Sequence, residues 1–218
     1  MPSNVRPFRV VIDDEPEPER AGVKLHLGCN QHPKPGYLNV DIEKFPGVDV
    51  VADLEKRWPW EDGSVDEIYT ADLPEHLRQW WDEPDDESLS KALLWADSLQ
   101  HGSDLDRDFR LAIRCIVEAV RKPKRTYGVI HFMSEAHRVL KTGGRLIAKI
   151  PSTESRSWAQ DPTHVSYWNE NSFMYFCDPR YRGLYPHLIK CAFKALELKT
   201  TTPNAYGESW VVAVLEKE

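Results

Sequence analysis

The run Leu25-His26-Leu27-Gly28-Cys29-Asn30 carries an apolar strand straight into a glycine. Where a parallel sheet opens at the carboxyl ends of its strands, a residue without Cβ lets a ligand approach the backbone closely. An ordinary turn would explain that glycine equally well. Two acids that follow, Asp41 and Asp53, each close a further short apolar run. A lone acid at a strand end is usually a cap or turn former. The series Gly28, Asp41 and Asp53 on successive strands has fewer bland explanations, because carboxylates there can bond a ribose diol and the polar edge of an adenine, two parts of one nucleoside ligand.

A second constellation lies far downstream. The segment Gln160-Asp161-Pro162-Thr163-His164-Val165-Ser166-Tyr167-Trp168-Asn169 gathers polar, titratable and aromatic groups between two predicted strands. It is the best candidate for the substrate side. His164 has the chemistry of a general base toward an oxygen or nitrogen acceptor, with Asp161 to orient it and Tyr167 or Trp168 to stack on a flat substrate. The competing reading has these aromatics simply capping the core.

These residues need a scaffold that brings strand ends together. Short apolar runs bounded by turn residues predict strands at Val23–Leu27, Tyr37–Ile42, Val48–Ala52 and Ser64–Thr70, the last reached through Glu61-Asp62-Gly63. Ile130, Met133, His137 and Leu140 recur at helical spacing up to Lys141-Thr142-Gly143-Gly144, and the strand Arg145–Ile150 follows at once. Helix, glycine turn and strand in that order imply a crossover onto a parallel sheet, so the fold class is α/β, doubly wound and mostly parallel. Phe193–Thr201 and Trp210–Leu215 predict a C-terminal antiparallel hairpin.

Two stretches fall outside that frame. Residues 1–22 are acidic and proline-rich, with Asp13-Asp14-Glu15-Pro16-Glu17-Pro18-Glu19, and read as a flexible leader in which Phe8–Ile12 is the best candidate strand. Residues 23–218 form one domain. Within it about 78–127 is too long for a plain connection and reads as a helical insertion, with amphipathic patterns at Ala92–Leu99 and Phe109–Val120.

Composition narrows the partners. The 218 residues hold 28 Lys plus Arg against 35 Asp plus Glu, a net charge of -7 that disfavours a dedicated duplex-DNA grip without forbidding a local patch such as Arg121, Lys122, Lys124 and Arg125. No apolar run reaches the length of a membrane span, and a cytoplasmic location is expected. Cys29, Cys115, Cys177 and Cys191 are too scattered for a disulfide framework or a zinc site, so no metal is expected.

With these residues in view, the chain resembles the class I S-adenosylmethionine-dependent methyltransferases, in particular their short members from bacteria and phages. The resemblance covers about Val23 to Pro151 and rests on LHLGCN followed by PGYLNVDI, on VDVVADL, DGSVDEIY and LPEHL, and on SEAHRVLKTGGRLIAKIPS. It implies a Rossmann-like fold with S-adenosylmethionine as cofactor. Gly28, with Cys29 and Asn30, would lie under the methionine part, Asp41 would take the ribose hydroxyls, and Asp53 with Leu54 would receive the adenine. Glu75 and His76 would face the sulfonium and the acceptor, His76 either beside the substrate or tying its loop by hydrogen bonds. Two features depart from the usual pattern: Asn30 stands where another glycine is common, and only 12 residues separate Gly28 from Asp41, too few for a full crossover helix.

The acceptor is less legible. An aminomethyltransferase acting on an exocyclic base nitrogen often carries Asn or Asp before Pro-Pro and an aromatic after the fourth strand, whereas this chain has Ala71-Asp72-Leu73-Pro74, and no Cys follows a Pro as a cytosine-C5 enzyme would require. The reading is methyl transfer to a small molecule, sugar or nucleotide. The alternatives are a nucleic-acid methyltransferase and a non-catalytic cofactor-binding scaffold.

Overall fold

The computed structural model describes residues 22–81, 111 and 125–218. A seven-stranded sheet is built from β1 (Lys24–Leu27), β2 (Leu38–Asp41), β3 (Val50–Val51), β4 (Val65–Ala71), β7 (Leu140–Pro151), β8 (Phe193–Thr200) and β9 (Trp210–Lys217). Their order across the sheet is β3-β2-β1-β4-β7-β9-β8. Neighbours from β3 to β7 pair in parallel, and β9 runs antiparallel to both β7 and β8. The expected C-terminal hairpin is therefore present, and its second strand wedges between β7 and β8.

Period-two burial fixes which face each strand turns to the core. Leu25, Leu27, Val40, Ile68, Leu146, Ala148, Ile150, Val211, Ala213 and Leu215 are all buried. Against them pack α1 (Gly128–Val139), through Phe132, Met133, Ala136 and Val139, and α3 (Glu170–Cys177), through Phe173 and Phe176. Two shorter helices, α2 (Ser157–Gln160) and α4 (Pro179–Arg182), lie on either side of α3 in the chain.

Two local expectations need correction. The strand after the helix starts earlier than Arg145: α1 stops at Val139, β7 begins at Leu140, and Lys141-Thr142-Gly143-Gly144, with Gly143 at φ +78, bulges between the Leu140–Val65 and Arg145–Glu67 pairs. The third strand is also shorter than its apolar run suggests, since only Val50–Val51 finds a partner, on the edge beside β2.

No helix links β1 to β2, as the short spacing predicts, and the β3–β4 connection is likewise a loop. That loop is anchored rather than loose. Trp58, 2% exposed, stacks edge-on against Phe132 of α1 with centroids 5.3 Å apart. Its backbone N–H donates to Glu135 Oε2 at 2.8 Å, and Arg138 closes the network on Glu135, Asp62 and the carbonyls of Trp58 and Trp60. Burial of this one indole against a helix is worth about 3–5 kcal/mol by comparison with large-to-small core substitutions. It fixes the position of the residues that leave β3.

The ends of the insertion are described, and they pair. β5 (Gln79–Trp81) and β6 (Arg125–Tyr127) form an antiparallel two-stranded ribbon, so the excursion leaves and returns at one place. Gly128 begins α1 directly after it, and a Cβ there would lie 2.4 Å from the Arg78 carbonyl oxygen, a contact only glycine escapes. The expected leader over residues 1–22 apart from Gly22, the expected helix at 92–99, the one at 109–120 apart from Leu111, and the basic run apart from the backbone of Arg125 lie outside the described residues.

Candidate active site

The strand order reverses its direction of growth between β1 and β4, the switch point where an open α/β sheet leaves a crevice outside its carboxyl ends. On one side lies Gly28, with φ +70, and Asn30, with φ +46, so both take the left-handed conformation the turn demands. Asn is among the few residues with a side chain that adopt it at small cost, which explains how it replaces a glycine here. The Gly28 and Cys29 N–H groups both donate to the Val40 carbonyl, at 2.9 and 3.1 Å, folding the turn onto the end of β2. A Cβ on Gly28 would stand 3.0 Å from Leu73 Cβ, so the glycine also lets the loops on the two sides of the switch point meet.

Asp41 closes that turn. Its Oδ2 accepts the Asn30 N–H at 2.8 Å and its Oδ1 the Glu43 N–H at 3.2 Å. Each carboxylate oxygen has a second lone pair, so the group keeps acceptor capacity for hydroxyls while it holds the loop. Cys29 is 1% exposed, its thiol raised above the ordinary range by burial and by the Asp41 charge, so only its main chain is offered to the crevice. Asp53 caps the turn after β3, accepting from the Glu55 N–H at 3.0 Å and facing Lys56 at 3.3 Å. Leu54 is buried in the core, with its carbonyl accepting from Trp58 Nε1 at 3.1 Å.

Across the switch point the chain passes Asp72 in the left-handed region, with φ +51, and turns into a single 3-10 turn, Pro74–His76. The downstream segment is clamped onto this turn. The Val165 and Ser166 N–H groups donate to the Glu75 carbonyl at 2.8 and 3.2 Å, and Ser166 Oγ donates to the Pro74 carbonyl. Glu75, His76, Asp161 and His164 thereby meet, although 85 residues of chain separate Glu75 from Asp161.

Hydrogen bonds fix both imidazoles in one tautomer. His164 Nδ1 donates to the Trp158 carbonyl at 2.9 Å. Thr163 Oγ1 gives its proton to Asp161 Oδ1 at 2.7 Å and so must accept from His76 Nδ1 at 3.0 Å. Each ring then keeps the lone pair on Nε2. The rings stand 4.7 Å apart, edge to face. Burial, and after it the neighbouring His164, hold His76 below the ordinary imidazole range.

Asp161 thus has a different partner from the one expected. Its carboxylate lies 4.0 Å from His164 Nε2, outside hydrogen-bond reach, and acts on His76 through Thr163. The aromatic pair divides as well. Trp168 is 2% exposed and packs on Phe173 with its indole N–H on Ser166 Oγ, which makes it core. Tyr167 is 62% exposed and meets Trp158 edge to face at 5.2 Å.

Glu75 is the most unusual group in the site. Its side chain is 1% exposed, and neither carboxylate oxygen has a hydrogen-bond partner. Its nearest titratable neighbour is His164 Nε2, 3.9 Å from Oε1. Burial, reinforced by the charges of Asp72 and Asp161, pushes its carboxyl up to about 8. Native proteins rarely leave a buried carboxylate without a partner, since its desolvation is then uncompensated. Thr163, Trp158 and Asp72 were not singled out by the sequence. An acid two residues before Pro74 was visible, but Thr163 and Trp158 join the cluster only through contacts made by folding.

A cavity of about 690 Å³ runs along the outer flank of α1, lined by residues such as His131, His137, Arg138, His187 and Lys217. It shares no residue with the carboxyl ends of the parallel strands β1 to β4. The unsatisfied carboxylate, the two oriented imidazoles and the switch point all lie elsewhere. Among the described residues no helix is long and apolar enough to cross a membrane.

No protein-family model matches the sequence, and no curated protein does. Solved structures similar in fold include a variant of the 16S rRNA (adenine(1408)-N(1))-methyltransferase from Catenulisporales acidiphilia with cosubstrate SAM, at 12% identity, covering 90% of this chain and 84% of that one with a TM-score of 0.41. The geranyl diphosphate C-methyltransferase from Streptomyces coelicolor A3(2) matches at 9% identity, over 90% and 74% of the two chains, with a TM-score of 0.42. A TehB-like SAM-dependent methyltransferase from Corynebacterium glutamicum matches at 16% identity, over 91% and 82%, with a TM-score of 0.38. By its strand order and its single reversed strand, the chain carries the Rossmann-like fold on which class I S-adenosylmethionine-dependent methyltransferases are built.

Proposed function

We propose that this chain transfers a methyl group from S-adenosylmethionine to a small molecule, sugar or nucleotide acceptor. The observation that carries the reading is the switch point itself, with acids at successive strand ends on one side and a cluster of imidazoles and carboxylates on the other. The donor set suits the cofactor. Asp41 keeps lone pairs for a ribose diol, Asp53 lies just past the end of the neighbouring strand, and Gly28, followed by Cys29 and Asn30, offers a main chain without a side chain. When bound, the cofactor supplies an electrophilic methyl on sulfur.

The chain's own work is to align an acceptor with that methyl and to manage its proton. Glu75, His76 and His164 occupy the acceptor side. The Nε2 lone pairs of the two histidines are the acceptors for a proton or a cation, and the Thr163–Asp161 link and the Trp158 carbonyl hold the rings in place. Tyr167, with Trp158 beside it, offers an exposed aromatic surface for a flat or apolar part of the acceptor. Asp72 and Asp161 give this side a negative field, which favours a small acceptor over a polyphosphate backbone.

Calorimetric titration of the full chain with S-adenosylmethionine and S-adenosylhomocysteine tests the reading. Both should bind, and Asp41→Ala should weaken binding about 10- to 150-fold, the worth of a charge-assisted hydrogen bond. Failure of the parent chain to bind either compound would overturn the proposal.

A further inference from the structure

The cluster on the acceptor side has the composition of a metal centre. One donor atom from each of Glu75, His76 and His164 lies within 4.8 Å of the others. Donor atoms sharing one ion at about 2.1 Å stand about 3–3.5 Å apart, so small side-chain rotations suffice to close the set. The His164 Nε2 to Glu75 Oε1 separation of 3.9 Å needs to shrink by only about half an ångström.

Three independent features point to a cation rather than to a chance meeting of side chains. Glu75 is 1% exposed with both oxygens unpartnered, and among the described residues it has no Lys or Arg beside it. Both imidazoles give their Nδ1 proton away, one to the Trp158 carbonyl and one to a threonine bound to Asp161, which leaves each Nε2 lone pair available. This outer support is the arrangement by which proteins orient metal-ligating histidines. The ligand-bearing segments are also locked together, since Val165 and Ser166 hydrogen-bond the Glu75 main chain.

We propose that Glu75, His76 and His164 form a divalent-cation site on the acceptor side of the crevice. Two imidazoles and one carboxylate select zinc, cobalt, manganese or ferrous iron over magnesium or calcium, which prefer all-oxygen shells. Three protein ligands leave coordination positions open, and a cation so held binds and polarises an oxygen of the acceptor. That last step rests on the methyl-transfer reading; the metal site itself does not. The donors are carboxylate and imidazole from segments distant in sequence, which is why cysteine spacing gave no sign of them.

The test uses the untagged full chain, stripped with a chelator and titrated with cobalt(II) alone. A single equivalent should bind with visible d–d absorption, zinc(II) should displace it, and zinc should raise the melting temperature. Glu75→Gln, His76→Gln and His164→Gln should each lower the affinity at least 100-fold and abolish the thermal shift, while His187→Gln, in the cavity beside α1, should change neither. If Glu75→Gln fails to fold, the two histidine variants decide. No cobalt binding by the parent, or binding unchanged in the histidine variants, overturns the proposal. Titration with S-adenosylmethionine in parallel separates the two readings: cofactor binding without metal sinks only the metal site, and metal binding without cofactor sinks only the methyltransferase.

Discussion

Replacing Trp58 with alanine tests whether the β3–β4 loop is held in place as a crossover helix would be. The indole is 2% exposed, meets Phe132 at 5.3 Å and Trp60 at 6.3 Å, and its Nε1–H bonds the Leu54 carbonyl. Truncating a buried tryptophan costs about 3–5 kcal/mol, a large part of the roughly 5–15 kcal/mol that holds a domain folded. For a chain of this size, each kcal/mol lowers the melting temperature by about 2–4 °C, so the expected fall is about 6–20 °C. Trp58→Phe keeps the ring contacts and loses the Leu54 bond, and should cost about 1 kcal/mol. Urea unfolding followed by far-ultraviolet circular dichroism gives both values. S-adenosylmethionine affinity, measured below the transition, should fall in the alanine variant because Asp53 leaves β3 on this loop. A loss under about 1 kcal/mol for Trp58→Ala would refute the claim that the indole anchors the loop.

The remaining expectations are narrower. Gly28→Ala combines a left-handed φ of +70 with a Cβ 3.0 Å from Leu73, so it should destabilise the fold by more than about 1 kcal/mol and weaken cofactor binding in calorimetry. Thr163→Val removes the acceptor of the His76 Nδ1 proton with little change of shape. Cobalt affinity should drop about 10- to 100-fold, and Thr163→Ser should restore it; equal affinities in all three would show the link to be idle. At Glu135, burial raises the carboxyl, but the Arg138 bonds and the Trp58 N–H outweigh it and leave the group below its ordinary value. A carboxylate depressed on folding stabilises the protein above its unfolded pKa and loses that contribution as pH falls through the folded one. Stability should therefore decline on acidification below the ordinary glutamate range, and Glu135→Gln should be less stable at neutral pH with a shallower acid slope in the same unfolding assay.

Much of the frame was legible because its signals are local. Four short apolar runs ending in turn residues located β1 to β4, and the spacing of Ile130, Met133 and His137 located α1. Gly28, Asp41 and Asp53 were marked by residue type at strand ends, where the fold offers few other reasons for that series. Boundaries failed where pairing, not pattern, decides them. Val48 and Ala52 are as apolar as their neighbours, but on this sheet edge the register with β2 takes in only Val50 and Val51. Gly143 and Gly144, which read as a helix stop, fall inside the bounds of β7 because Leu140 before them already pairs with Val65 of β4, while they themselves bulge between that pair and Arg145–Glu67.

The sequence by itself determined the fold class, the strand-end glycine and acids, and the presence of titratable groups at 75–76 and 161–164. Only the tertiary structure decided that these two segments meet, that Asp161 serves His76 through Thr163 and not His164, that Trp168 is core while Tyr167 is exposed, and that Glu75 is left buried without a partner. The reason is physical. Periodicity and turn chemistry act over a few residues and are written in the chain, whereas a hydrogen bond between Thr163 and His76, or the desolvation of one carboxylate, depends on which surfaces the core brings together.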